Sequence, residues 1–271
     1  HHLLCADAAV RESAYGEVIP SCPQLVVDEA HQLEDVATQY FGRGVSNLRI
    51  DDLGRDAEAA LRAAVVAPGA TAKHDASRGV MRVVDHARAF FSGLALARMS
   101  RGDERLRVAR EWFADHLQTG LDLAGALDGL QATCALTAAG RDREAPADDA
   151  AVSDDLTAVA RRAGDMAADL RFLLACADPA YVYFLEVKGR AVQLRAAPID
   201  VSRIVRDLVT GQRRATIITS ATLTVEGRFD YIKERLGLED ADVLSVPSEF
   251  DYSRQTLLYL PRRMPLPREE R

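Results

Sequence analysis

The chain has 271 residues, 48% of them apolar and 28% charged, with a formal net charge of −7 at pH 7. That length can bury a sizeable core in one or two domains, and the composition is that of a soluble globular protein. The negative balance argues against a protein that coats nucleic acid nonspecifically, but it leaves room for a local basic groove.

No apolar run approaches the roughly 20 residues that span a bilayer, and no signal-peptide pattern opens the chain. Cys5, Cys22, Cys134 and Cys176 are widely spaced, with no C-x-x-C pair. They read as reduced thiols of a cytoplasmic protein rather than as a structural metal site. His1-His2-Leu3-Leu4 begins as if inside an element, and Leu260 to Pro267 is a proline-rich connector. The chain therefore reads as a piece of a larger protein.

Residues 1–14 read as a strand end or short helix, and Tyr15 to Pro23 as a loop. Gln24-Leu25-Val26-Val27-Asp28-Glu29-Ala30-His31 then sets two carboxylates and a histidine directly after a short apolar run. Such a run is a buried strand, and ligands of open α/β sheets bind beyond the carboxyl ends of the strands. Adjacent acids there suit metal–phosphate chemistry: one holds a hard cation while the other orients or deprotonates water. The plainer alternative is an acidic helix start, where carboxylates favour the positive dipole end. Leu33, Val36 and Tyr40 recur at helical spacing, so Glu29 to Tyr40 reads as a short helix, stopped by Phe41-Gly42-Arg43-Gly44.

From Ser46 to Ala177 the period becomes helical. Ser46 is a candidate N-cap for a helix with Ile50, Leu53, Ala57, Leu61 and Ala64 on one face, ended by Pro68-Gly69. A second helix carries Val80, Val84, Ala87, Phe91 and Leu94, and Arg101-Gly102-Asp103 breaks it. A third carries Phe113, Leu117, Leu121, Ala124, Leu127 and Leu130, weakened by Gly120, Gly125 and Gly129 at roughly 1 kcal/mol each relative to alanine. Ala138 to Ala151, with Pro146, reads as an acidic loop, after which Ser153 or Asp154 caps a fourth helix. Its Val152, Leu156, Val159, Ala163, Met166, Leu170 and Leu173 form a heptad seam suited to antiparallel packing. Stripes of this period are core first, and they carry no chemistry in this reading.

After Asp178-Pro179 the period shifts to β. Tyr181 to Val187 and Ala191 to Ala196 read as a hairpin with Gly189 in its turn. A helix with Val201, Ile204, Val205 and Leu208 follows and closes at Gly211, and Ala215 to Thr219 is another buried strand. That strand ends in Ser220-Ala221-Thr222-Leu223, two small hydroxyls at a strand end. They can bridge the acidic motif, a metal-bound water or phosphate oxygens, or simply cap a helix. Phe229, Tyr231, Ile232 and Leu236 mark a short helix stopped by Gly237, and Val243 to Val246 and Gln255 to Leu260 read as two further strands.

Taken together, Val26-Val27-Asp28-Glu29-Ala30-His31 resembles motif II, the Walker B or DEAH box, of superfamily 2 helicases, and Thr219-Ser220-Ala221-Thr222-Leu223 resembles their motif III. The helical block between the two resembles the DinG branch of the XPD-like DNA helicases, in which an arch domain is inserted at this point. Weaker echoes are His1-His2-Leu3-Leu4, Ala197-Pro198-Ile199-Asp200, Phe250-Asp251-Tyr252 and Leu258-Tyr259-Leu260-Pro261.

The resemblance implies an α/β fold: a partial RecA-like P-loop NTPase domain with an inserted all-helical arch. Residues 1–45 and 179–243 would form the first RecA-like domain, 46–178 the arch, and 244–271 the start of a second RecA-like domain. It also implies ATP and Mg²⁺ as cofactors and DNA, single-stranded or forked duplex, as partner, with no membrane. Asp28 would hold Mg²⁺, Glu29 would activate water, and His31 would sense the γ-phosphate. Ser220, Ala221 and Thr222 would couple hydrolysis to movement on DNA, in repair or replication.

The departures are as specific. The chain has no G-x-x-x-x-G-K-[ST] loop to cradle phosphates, so it is expected to be inactive alone. Many members carry a four-cysteine iron–sulfur cluster upstream of the acidic box. The cysteines here do not match it, and any cluster in the parent protein would lie before His1. The alternative function is a non-catalytic helical interaction or DNA-binding scaffold with a degenerate ATPase remnant.

Overall fold

The computed structural model describes residues 1–11, 18–64, 70–99, 105–141, 147–211 and 213–261. In chain order its elements are α1 (His2–Arg11), β1 (Gln24–Val27), α2 (Leu33–Tyr40), β2 (Arg43–Ser46), α3 (Asn47–Ala64), α4 (Ala70–Met99), β3 (Arg105–Arg107), α5 (Leu117–Arg141), α6 (Ala147–Ala175), β4 (Tyr181–Lys188), β5 (Ala191–Pro198), α7 (Ser202–Thr210), β6 (Ala215–Ile218), α8 (Asp230–Leu236) and α9 (Tyr252–Gln255). Two apolar clusters divide them.

The first cluster is built on β1 and β6, which pair in parallel with Val27 opposite Ile218. Leu4 and Cys5 of α1, Leu33 and Val36 of α2, Val205 and Val209 of α7, and Leu236 of α8 bury against Val27. Leu25 to Val27 and Ile217-Ile218 are unbroken apolar runs, the pattern of strands covered on two faces. Here one face stays open: Val26 is 64% and Ile217 59% exposed.

The second cluster joins α3–α6 to an antiparallel sheet of order β2-β5-β4-β3. Ile50 and Leu53 of α3, Phe90 and Leu94 of α4, Leu127 and Leu130 of α5, and Leu156 and Leu170 of α6 share one core with Val45, Leu106, Leu185 and Leu194 of the strands. Ser46 ends β2 and caps α3, its Oγ accepting the Arg49 N–H at 3.2 Å. Gly120 is a close-packing position: a Cβ there would lie 2.7 Å from Leu174 Cδ1 and 3.0 Å from Phe90 Cε2, so those buried side chains of α6 and α4 would have to shift to admit one.

Several expectations change. The block between the two motifs is not all helical. β3 lies inside it, β2 precedes it, and the β4–β5 hairpin packs its apolar face onto the helices. Alternation explains the hairpin, because Tyr183, Leu185, Val192, Leu194 and Ala196 form one face and need an apolar partner. Residues 138–141 finish α5 and 147–151 begin α6, so most of the expected loop is helix, and Pro146 lies outside the described residues. Ala147-Asp148-Asp149-Ala150-Ala151 combines alanine with early acids, both favourable to a helix start. Ser153 is consequently an interior, buried residue of α6, and neither it nor Asp154 caps the helix.

On α5 the buried stripe is Leu123, Ala124, Leu127, Leu130 and Cys134, while Leu117 and Leu121 are exposed. On α4 Val83, rather than Val84, is buried. Residues 243–246 and 256–260 form no strand, and their large side chains are exposed. A strand needs a neighbouring ladder, and among the described residues none lies beside them. Pro68-Gly69, Arg101-Gly102-Asp103, Tyr15 to Glu17 and residues 262–267 lie outside the described residues.

Candidate active site

The parallel pairing of β1 and β6 carries both motifs off the sheet at the same end. The Thr219 N–H donates to the Val27 carbonyl at 2.9 Å and the Ala30 N–H to the Thr219 carbonyl at 3.1 Å, so the two exits stay stitched together beyond the strands. Glu29 sits between these ties with φ 50° and ψ 40°, the left-handed region. A non-glycine residue held there costs on the order of 1–3 kcal/mol and marks a position fixed by its surroundings.

That turn aims the Glu29 carboxylate at the hydroxyl motif. The Ser220 hydroxyl lies 3.1 Å from Glu29 Oε2 and 2.8 Å from His31 Nδ1, and His31 Nδ1 lies 3.2 Å from the same Oε2. The Thr222 N–H donates to Ser220 Oγ at 3.2 Å, and the two hydroxyl oxygens are 3.4 Å apart. One proton assignment satisfies the contacts of Ser220 with Glu29, His31 and the Thr222 amide, and leaves the two hydroxyls as neighbours without a bond between them. Ser220 donates its single proton to Glu29, His31 donates Nδ1–H to Ser220 and Glu29, and the Thr222 amide donates to Ser220. Oε1 of Glu29 has no hydrogen-bond partner among the described residues. The cluster is open to solvent, with the Glu29 and His31 side chains 56% and 38% exposed.

Asp28 flanks this cluster. Its Oδ1 accepts the Glu29 N–H at 2.9 Å, and its carboxylate is exposed. Ala221 is exposed and supplies chain geometry only. His1 is a residue to which the sequence pattern assigns no role: its Nε2–H donates to the Asp28 carbonyl at 2.8 Å, so the start of α1 holds the acidic turn. The only signal for it was its place in His1-His2-Leu3-Leu4.

Among the described residues no group of three or more His, Cys, Asp or Glu side chains could enclose a metal. Mg²⁺ is commonly held by one or two carboxylates together with substrate phosphates and water, and the exposed Asp28 carboxylate fits that sharing. The cysteines do not fit an iron–sulfur cluster. All four are free, and Cys5 and Cys134 are buried in different cores. Burial pushes the Cys134 thiol up to about 11, and burial with the Glu111 carboxylate does the same at Cys176.

Beside β6 lies a cavity of about 800 Å³ that reaches Ser220 and is lined also by Thr216, Ile218, Phe229, Ile232 and Val246. It follows the edge of β6 opposite β1.

A parallel strand pair that delivers an acid, a histidine and two hydroxyls to one end defines a candidate phosphate-chemistry site on an α/β fold. No family model matches the chain. It is 33% identical over 270 residues to the ATP-dependent DNA helicase YoaA of Escherichia coli and 30% identical over 265 residues to that of Haemophilus influenzae. Each match covers 98% of this chain and 38% of the relative, so the chain spans little more than a third of their length. The 3′-5′ exonuclease DinG of Bacillus subtilis is 33% identical over 91 residues, 32% of this chain and 10% of that protein. These matches relate the chain to the DinG-like superfamily 2 helicases.

Proposed function

We propose that the chain is the part of an ATP-dependent DNA helicase that carries its water-activating acid and the hydroxyl relay beside it. The observation that carries the reading is the Ser220 hydroxyl, which touches both Glu29 and His31 across two parallel strands. Glu29 holds the attacking water on its free Oε1 and accepts its proton. His31 holds the other oxygen, and Ser220, touching the same oxygen, reads the state of the carboxylate. Asp28 offers its exposed carboxylate to Mg²⁺, which supplies charge neutralisation at the phosphates when bound. Ser220 and Thr222, just past the end of β6 and across from the acid, relay its state to the chain that follows.

The phosphate loop comes from outside these residues. The open edge of β6 and the cavity beside it lead to Ser220, where a further strand of the sheet would deliver such a loop. The exposed face of β1 and β6 supports the same reading of a partial RecA-like domain. The helical block is an arch-like insertion, extended from residues 46–178 to take in β2 and the β4–β5 hairpin. The helicase acts on single-stranded or forked DNA in the cytoplasm, in repair or replication.

The test is Glu29→Gln in the parent helicase. Glutamine keeps the shape but cannot accept the water's proton, so phosphate release falls by about 10²-fold or more while nucleotide binding stays within about twofold. Retained turnover in the variant overturns the assignment.

A further inference from the structure

The antiparallel sheet concentrates positive charge that the rest of the chain lacks. Its strands and hairpin turn, residues 43–46, 105–107 and 181–198, hold six Lys and Arg side chains against one carboxylate, in a chain whose net charge is −7. The helices bury one face of this sheet through Val45, Leu106, Tyr183, Leu185, Val192, Leu194 and Ala196. Alternation therefore places Arg105, Arg107, Phe184, Glu186, Lys188 and Arg195 together on the other face.

Lys188, Arg105 and Arg195 are held in place. Glu186 accepts Lys188 Nζ at 2.9 Å and Arg105 Nη2 at 3.3 Å, yet both cations stay open to solvent, 68% and 62% exposed. The Arg105 guanidinium lies 4.8 Å from the centre of the Phe184 ring, and Arg195 lies 5.9 Å from it. Arg107 stands opposite Phe184 in the register and has no ion pair among the described residues. Elsewhere the exposed arginines Arg55, Arg62 and Arg88 are each matched by a carboxylate one helical turn away.

We propose that this outer sheet face, through Arg105, Arg107 and Lys188, binds the phosphate backbone of single-stranded DNA. Three cations on two neighbouring strands about 5 Å apart, with Arg105 and Lys188 already tethered through Glu186, meet an anionic polymer with part of their ordering already in place. A single strand can lie flat along such a patch, whereas the rigid curve of a duplex brings fewer phosphates to it. Phe184 is buried and serves as the base under the guanidinium of Arg105, not as a stacking partner for bases. The choice of polymer rests on the helicase reading above, but the site needs no nucleotide.

The experiment is fluorescence anisotropy of a fluorescein-labelled oligothymidylate of about 20 nucleotides, longer than the site of one single-strand-binding fold, titrated with the 271-residue chain over a salt series. Each single-strand phosphate that a removed cation leaves unneutralised lowers the salt slope by about 0.7. Arg105→Ala/Arg107→Ala/Lys188→Ala is expected to weaken binding about tenfold or more and to lower the slope by about 2. The matched triple Arg55→Ala/Arg62→Ala/Arg88→Ala should bind as the parent chain does. If the sheet triple fails to fold, Arg107→Ala carries the test alone, with a slope reduced by about 0.7 and recovery in Arg107→Lys. Absence of binding by the parent chain, equal weakening in both triples, or tighter binding of a blunt duplex overturns the proposal. Because no ATP is present, failure here leaves the hydrolytic reading standing, and an inactive Glu29→Gln helicase leaves this one standing.

Discussion

Glu29 shows how a single residue can trade stability for placement. Its left-handed backbone points the carboxylate at Ser220 and His31, and glycine would hold the same turn without the Cβ clash. Glu29→Gly in this chain is therefore expected to raise stability by up to about 1 kcal/mol, read as a higher thermal midpoint, although it deletes the two polar contacts of the side chain. Those contacts are solvent-exposed and contribute little to stability. A lower midpoint would mean that the turn is not strained. None of this was visible in Asp28-Glu29-Ala30-His31 as letters, since a dihedral angle is set by the two stitched backbones and not by the residue itself. The residue types and their strand-end position were legible, because an apolar run stopping at two acids needs only local sequence.

At the level of elements, ion pairs tie the pieces at points that periodicity does not reveal. Arg235 on α8 donates through Nε to Glu34 on α2 at 2.7 Å, and Glu34 is largely buried. Arg235→Ala leaves that carboxylate without its partner and is expected to cost about 1–3 kcal/mol in chemical denaturation. A change below a few tenths would show that the pair is ornamental. Glu186 on β4 gives a pH dependence. Its hydrogen bond from Lys188, and then its pairing with Arg105, hold its carboxyl below the usual carboxylate range. The stabilisation is complete above the ordinary carboxylate pKa of about 4.3 and is lost as pH falls through the lower folded value. Glu186→Gln should flatten the acid limb of the stability curve, and an unchanged limb would contradict the pairing.

Helices α3–α6 were legible because their apolar stripes repeat over many turns, and the seam from Leu156 to Leu173 is buried as the spacing required. β2 and β3 were not. Arg43-Gly44-Val45-Ser46 and Arg105-Leu106-Arg107 are too short to show a period, and each is a strand only because a longer neighbour supplies the ladder. The reverse error, strands expected at Val243 to Val246 and Gln255 to Leu260, has the same cause: apolar composition without a neighbour makes no sheet.

For the whole molecule, two cores imply two units of stability. The second core needs the hairpin, since Leu185, Val192 and Leu194 close it from below the helices. Residues 43–198 cut out alone should give a largely helical circular dichroism spectrum and melt cooperatively. Residues 46–177, which lack the hairpin and β2, should melt at a lower temperature and over a broader range. Equal melting of the two pieces would return the boundary to residue 178. Alone, the 271-residue chain should release no phosphate from ATP above a Glu29→Gln control, because nothing in its sequence forms a phosphate loop.

The central claim is that the Ser220 hydroxyl relays the state of Glu29 rather than performing the chemistry. ATP turnover and strand separation, measured side by side for the parent helicase carrying Ser220→Ala/Thr222→Ala, test it most directly. The account predicts that most of the hydrolysis survives while strand separation falls by about tenfold or more, the loss of a coupling worth roughly 1–3 kcal/mol. Equal loss of both activities would contradict it and place the hydroxyls in the hydrolytic step itself.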